Sequence, residues 1–170
     1  MSPLLEQQLV CKHPGLFAKM DDKSEPRNCM SFGISCGDGW FRILDVLFVT
    51  LSTGYSGTCA TLEDPKQTFR YEFPAVVLDQ VKEKFGTLRV YYHLEMDEHF
   101  DEQAKKYPQT ARSVVSDLTQ YVNGAIAMAE ALSAVTCEDT GAPGVMMSRG
   151  GWYRTMSLED GKKQGFSPIP

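Results

Sequence analysis

The stretch Val81-Lys82-Glu83-Lys84-Phe85-Gly86-Thr87-Leu88-Arg89-Val90-Tyr91-Tyr92 decides how the middle of the chain is read. Upstream of Gly86, Val77, Leu78, Val81 and Phe85 fall on one helical stripe, with Asp79, Lys82, Glu83 and Lys84 around it. Downstream, Thr87 to His93 is rich in β-branched and aromatic residues. With Gly86 as the stop signal, the stretch predicts a helix over 75–85 that leads into a strand over 87–94.

Working outward toward the N-terminus, Phe69-Arg70-Tyr71-Glu72-Phe73 alternates aromatic and polar residues as a half-buried strand does, and Pro74 ends it. Residues 54–68 read as a loop of Gly, Ser, Thr, Asp and Pro. Trp40, Phe41, Ile43, Leu44, Leu47, Phe48 and Leu51 recur at three-and-four spacing, so a helix over 38–53 is expected, capped by Asp38 and stopped by Gly54. Before it come a polar loop from Asp21 to Gly37 and a short helix carrying Leu4, Leu5, Leu9 and Val10. Toward the C-terminus, Pro108 interrupts the chain and a helix over 109–135 follows, with Val114, Val115, Leu118, Tyr121, Val122, Ala125, Ile126, Ala129 and Leu132 on its core face. After Thr136 glycines punctuate short apolar runs, as in a small hairpin-rich module. The sum is an α+β fold, a small antiparallel sheet from residues near 69–73 and 87–94 covered by three or four helices. Its boundaries are 1–136 for the main domain and 137–170 for the module.

Composition narrows the function classes. The 170 residues are 42% hydrophobic and 23% charged, which suits one folded domain and not a disordered chain. A net charge of −5 argues against a broad phosphate-neutralising surface. No apolar run reaches the length of a membrane span, and the first residues show neither a basic leader nor an apolar signal core, so a cytoplasmic location is expected. Cys11, Cys29, Cys36, Cys59 and Cys137 are odd in number and irregularly spaced, as free thiols are.

Three segments carry a resemblance: Cys36-Gly37-Asp38-Gly39-Trp40-Phe41, the Val81–Tyr92 stretch, and Cys137-Glu138-Asp139-Thr140-Gly141-Ala142-Pro143-Gly144 followed by Gly150-Gly151-Trp152. In this order they resemble a family of small bacteriophage and prophage proteins. The resemblance implies a phage product acting in the cytoplasm of a bacterial host, and implies no reaction. Its C-terminal module often resembles a zinc knuckle, with four ligands in two pairs. Here those positions are Cys137, Thr140, Ser157 and Asp160. Neutral hydroxyls are weak zinc ligands, so no metal and no cofactor is expected. Packing of Val145, Met146, Met147, Trp152 and Tyr153 onto the main body, with hydrogen bonds in place of metal bonds, is the expected substitute.

Chemistry needs assembled groups, and the sequence offers few. Cys36 precedes a helix start, which lowers a thiol pKa, but the neighbouring Asp38 raises it. His13, His93 and His99 show no catalytic spacing, and the glycine turns lack a phosphate-loop pattern. No catalytic residue is assigned. Two surface groups remain as candidate contacts: the acidic Glu95, Asp97, Glu98, Asp101 and Glu102, and the basic Lys82, Lys84 and Arg89 near Tyr91, with Trp152 as a third. Arg89 and Tyr91 share one strand face and Tyr92 the other. The leading expectation is a non-enzymatic protein that binds and inhibits a host protein of anti-phage defence. The alternatives are a nucleic-acid-associated accessory protein using Lys82, Lys84, Arg89 and Arg154, or an enzyme that degrades a nucleotide signal.

Overall fold

The computed structural model describes residues 1–20, 28–53, 57–71 and 75–169. Over them the chain is α+β. Helices α1 (Pro3–Lys12), α2 (Phe41–Ser52), α3 (Glu98–Lys106), α4 (Pro108–Ser133) and α5 (Leu158–Lys163) alternate with three small antiparallel sheets. Strand β1 (Gly57–Ala60) pairs with β2 (Thr68–Tyr71), β3 (Ala75–Lys84) with β4 (Thr87–Glu95), and β5 (Val145–Arg149) lies between β6 (Trp152–Met156) and β7 (Ser167–Pro168).

The expected helix over 75–85 is a strand. Val76, Leu78 and Val81 all enter the main core, and a bulge at Asp79 supplies the extra residue between Leu78 and Val81. One inserted residue converts the two-residue period of a strand into a spacing of three, which imitates a helix. Phe85 completes the imitation from the turn, where its φ of 54 and the φ of 79 at Gly86 are the paired left-handed conformations of a two-residue hairpin. Strand β4 therefore pairs with β3, while β2, which covers the described part of the expected 69–73 strand, pairs with β1 in a stretch expected to be loop. Glu72, Phe73 and the expected stops at Gly54 and Pro74 lie outside the described residues.

The main core forms where one face of the β3–β4 hairpin meets α1, α2 and α4. Leu9, Trp40, Leu44, Phe48, Leu78, Val81, Leu88 and Val122 are its buried centre. Asp38 does not cap α2; residues 38–40 form a 3-10 turn, and the Asp38 carboxylate accepts the Ser2 backbone N–H at 2.6 Å, at the start of α1. Pro108 divides α3 from α4, as expected, and takes the first position of α4 where its missing N–H costs nothing. On α4 the buried stripe is Leu118, Val122, Ile126 and Ala129. Tyr121 and Leu132, expected in the core, are exposed. A satellite cluster of Phe69, Phe100, Tyr107 and Ala111 joins β2 to α3 and α4. The C-terminal module has its own core of Cys137, Met147, Met156 and Phe166.

Candidate functional site

The three segments that carry the resemblance converge at one place, the junction of module and main domain. Gly39 N–H donates to Glu138 O at 2.8 Å, and the Trp40 indole N–H donates to Thr136 O at 2.8 Å. A Cβ at Gly39 would overlap the Cys137 carbonyl oxygen and Gly141 N, so only glycine fits there. From the middle segment, Gly86 O accepts the buried Thr155 hydroxyl at 2.6 Å, and Leu88 N–H donates to Ser133 Oγ at 2.9 Å.

Glu138 is the centre of this junction and is 6% exposed. Its Oε1 accepts Gly37 N–H at 3.0 Å, and its Oε2 accepts Arg154 Nε and Nη2 at 3.1 and 3.0 Å. Asp139 takes the other edge of the same guanidinium at 2.6 Å. Burial opposes the Arg154 charge, but hydrogen bonds to Asp139 and Glu138 outweigh it and raise its pKa. A buried carboxylate satisfied by a backbone N–H and a guanidinium is the arrangement that makes a buried charge tolerable. Arg154, one of the cations expected at a nucleic-acid surface, is committed to this pair.

Of the four knuckle positions, Cys137, Ser157 and Asp160 come together and Thr140 does not. Ser157 Oγ donates to Asp160 Oδ2 at 2.6 Å, and Cys137 Sγ lies 4.0 Å from the same oxygen. Ser157 also caps α5 by accepting Asp160 N–H. Thr140 is exposed, and its hydroxyl accepts Ala142 N–H at 3.4 Å. Among the described residues, no group of three or more His, Cys, Asp and Glu is placed to hold a metal ion. One thiol and one carboxylate beside two hydroxyls do not fit zinc.

The Cys36 thiol is not activated. Burial pushes the Cys36 thiol up to about 12, and the carboxylates of Glu138, Asp38 and Glu6 add to the rise. Buried His13 sits beside Ser52 at 3.1 Å and Asp45 at 3.6 Å. The pair that sequence reasoning missed is Asp79 with His93: the bulge turns Asp79 inward, and His93 Nδ1 lies 2.7 Å from its Oδ1. Only strand register brings these two together, and no sequence spacing signals it. Among the described residues, no Ser, Thr or Cys side chain hydrogen-bonds His93.

The candidate contact residues divide. Glu95 closes β4 and pairs with Lys19 at 3.1 Å. Asp97 caps α3 by accepting Phe100 N–H at 2.7 Å. Glu98, Asp101 and Glu102 are exposed on the first turns of α3. Lys82, Lys84 and Arg89 share the outer face of the β3–β4 hairpin. Trp152, expected to pack on the main body, is 75% exposed at the β5–β6 turn, and Val145 and Tyr153 are exposed as well. Only Met147 of that expected set is fully buried. The reason is the hairpin itself: Gly150 and Gly151 turn at its tip, and Trp152 lies just beyond them, away from the module's core.

One further surface was invisible in the sequence. Between α2 and α4 runs an apolar groove of about 380 Å³, lined by Ile43, Val46, Leu47, Ala125, Met128 and Leu132, with Arg42 at its rim. Val46 and Met128 are about two-thirds exposed, at 66% and 64%. The groove lies on the C-terminal half of α4, roughly 25 Å along the helix from the end that α3 flanks. Comparison with protein-family models, characterised proteins and solved structures finds no match.

Proposed function

We propose that the protein is a non-enzymatic binder that inhibits a host macromolecule, a counter-defence protein of phage type acting on a host protein. The observation that carries this reading is the α2–α4 groove. Large exposed apolar side chains in a contiguous groove cost solubility and are retained where a partner covers them. A groove between two helices fits a helical segment of the partner, with apolar anchors at three-and-four spacing. Arg42 is the one charged residue in its lining, so the fitting segment carries a carboxylate beside its anchors. The chemistry-bearing residues support the same reading from the other side. Cys36, Glu138, Arg154, Ser157 and Asp160 are engaged in holding the fold together. The resemblance supplies the setting, a bacterial host. The exposed carboxylates of α3 supply a second, steering role: they attract a basic surface on the partner and speed encounter.

Titration of the purified protein against its co-purified host partner tests the proposal. Inhibition complete at about one chain per target, and lost in Val46→Glu and Met128→Glu variants that melt as the original does, is the expected result. Protection far below one copy per target overturns the blocker and makes a catalyst the reading to pursue.

A further inference from the structure

The outer face of the β3–β4 hairpin carries chemistry that the proposed protein contact leaves unused. The register pairs Gln80 with Tyr91, Lys82 with Arg89 and Lys84 with Thr87. Directly opposed residues share a face, so Lys82, Lys84, Arg89 and Tyr91 stand together, opposite the core-facing Val81, Leu88 and Val90. Lys82 Nζ lies 5.2 Å from the Tyr91 ring centroid, and Lys84 Nζ lies 5.5 Å from that of Phe85. Both rings are open to solvent, Tyr91 at 44% and Phe85 at 67%.

Phe85 is the least expected of these residues. It occupies a left-handed turn position, φ 54, that Asn, Asp and Gly fill more easily, and it leaves most of its ring in water. A bulky residue held in that conformation with its apolar surface in water points to a use for the ring. Glu130 pairs with Arg89 at 3.6 Å, but among the described residues no acid pairs with Lys82 or Lys84. Glu83 lies on the other side of β3 and accepts Gly86 N–H, and Glu95 is paired with Lys19 at the far end.

We propose that this face binds single-stranded nucleic acid, with unstacked bases on Tyr91 and Phe85 and phosphates against Lys82, Lys84 and Arg89. Exposed rings beside cations are the sequence-tolerant recipe for single strands, since every base offers a π-face. A duplex keeps its bases stacked and gives the two rings nothing to bind. The inference goes beyond the proposed protein contact and does not rest on it, because the residues are different.

Fluorescence polarisation of the full-length protein with a labelled fifteen-residue oligothymidylate tests it across a salt series. The dissociation constant is expected between about 10⁻⁶ and 10⁻⁴ M, and log K is expected to fall with log salt at a slope of about −2 for three phosphates. Replacing Lys82 and Lys84 together with Ala should bring that slope to roughly −0.7. Phe85→Asn suits the turn and keeps the fold, so it should weaken binding by about 5- to 100-fold with the slope and the melting temperature unimpaired. No binding up to millimolar protein overturns the proposal, as does a salt slope indifferent to the two lysines. Equal affinity for the matching duplex removes the stacking role and with it the inference. Displacement of the oligonucleotide by a poly-glutamate peptide at equal concentration assigns the face to an acidic protein instead.

Discussion

Trp40 and Trp152 stand at opposite extremes of one residue type. Trp40 is fully buried with its indole N–H bonded to Thr136 O, so Trp40→Ala should cost about 3–5 kcal/mol. Trp152→Ala should change stability by no more than about 0.5 kcal/mol, because the ring is mostly in water. Chemical denaturation of the two variants checks both. The thiols divide in the same way. At pH 8 Cys11 should react with iodoacetamide in the native protein, while Cys36 and Cys137 stay protected until the chain is unfolded. The Cys36 shift also has a sign. Its folded pKa of about 12 lies above the unfolded value near 8.5, so the folded state keeps a proton that the unfolded chain releases. Its stability contribution is complete below about pH 8.5 and declines as pH rises toward 12. Cys36→Ala should show a shallower alkaline loss of unfolding free energy than the original chain, read from urea midpoints over that range.

At the level of elements, α1, α2 and α4 were legible in the sequence, α3 and α5 were not, and the strands were legible only in part. Apolar residues at three-and-four spacing survive any context when one face is buried, which is why α2 and α4 could be read directly. The β3 strand could not, since the bulge at Asp79 and the turn residue Phe85 together reproduce a helical stripe. The outward face of α4 was misread for a related reason: Leu132 lines the groove between α2 and α4 and is exposed there, and composition alone does not tell a core from a groove. Helix α3 revises what charge reversal there should do. Asp97 caps the helix and Glu98 and Asp101 lie in its first turn, so reversing Asp97 should cost about 1 kcal/mol through the lost cap. Reversing Glu102 alone should leave the melting temperature close to the original and slow association with a basic partner. In the module, the Ser157 hydroxyl donates to the Asp160 carboxylate and also caps α5 by accepting Asp160 N–H. Purified protein should therefore contain less than about one-tenth zinc per chain by elemental analysis, and chelator should leave its melting curve in place.

Across the whole molecule, residues 37–40, 86–88 and 136–155 meet at the junction through hydrogen bonds that hold the fold. Gly39 closely approaches the Cys137 carbonyl and Gly141 N, and Gly86 packs against the Met146 side chain. Such approaches demand particular residues as strongly as catalysis does, so a motif in sequence is not by itself a sign of chemistry. The candidate site was less legible than the fold, because a groove and a hairpin face are properties of packing and register. Arg154→Ala should expose the difference. Removing the guanidinium leaves Glu138 buried beside only a backbone N–H, and the loss should reach about 3 kcal/mol in a denaturation experiment while the groove on α2 and α4 is untouched.

The same junction sets a clock on biosynthesis. Gly37 and Glu138 are 101 residues apart, so at translation rates of about 5–20 residues per second the first segment waits roughly 5–20 s for its partner to be made. During that interval the Trp40 indole has no carbonyl to bond, and the apolar face around it stays open on a nascent chain still tethered to the ribosome. Slow decoding of the codons between these two segments would lengthen that exposure.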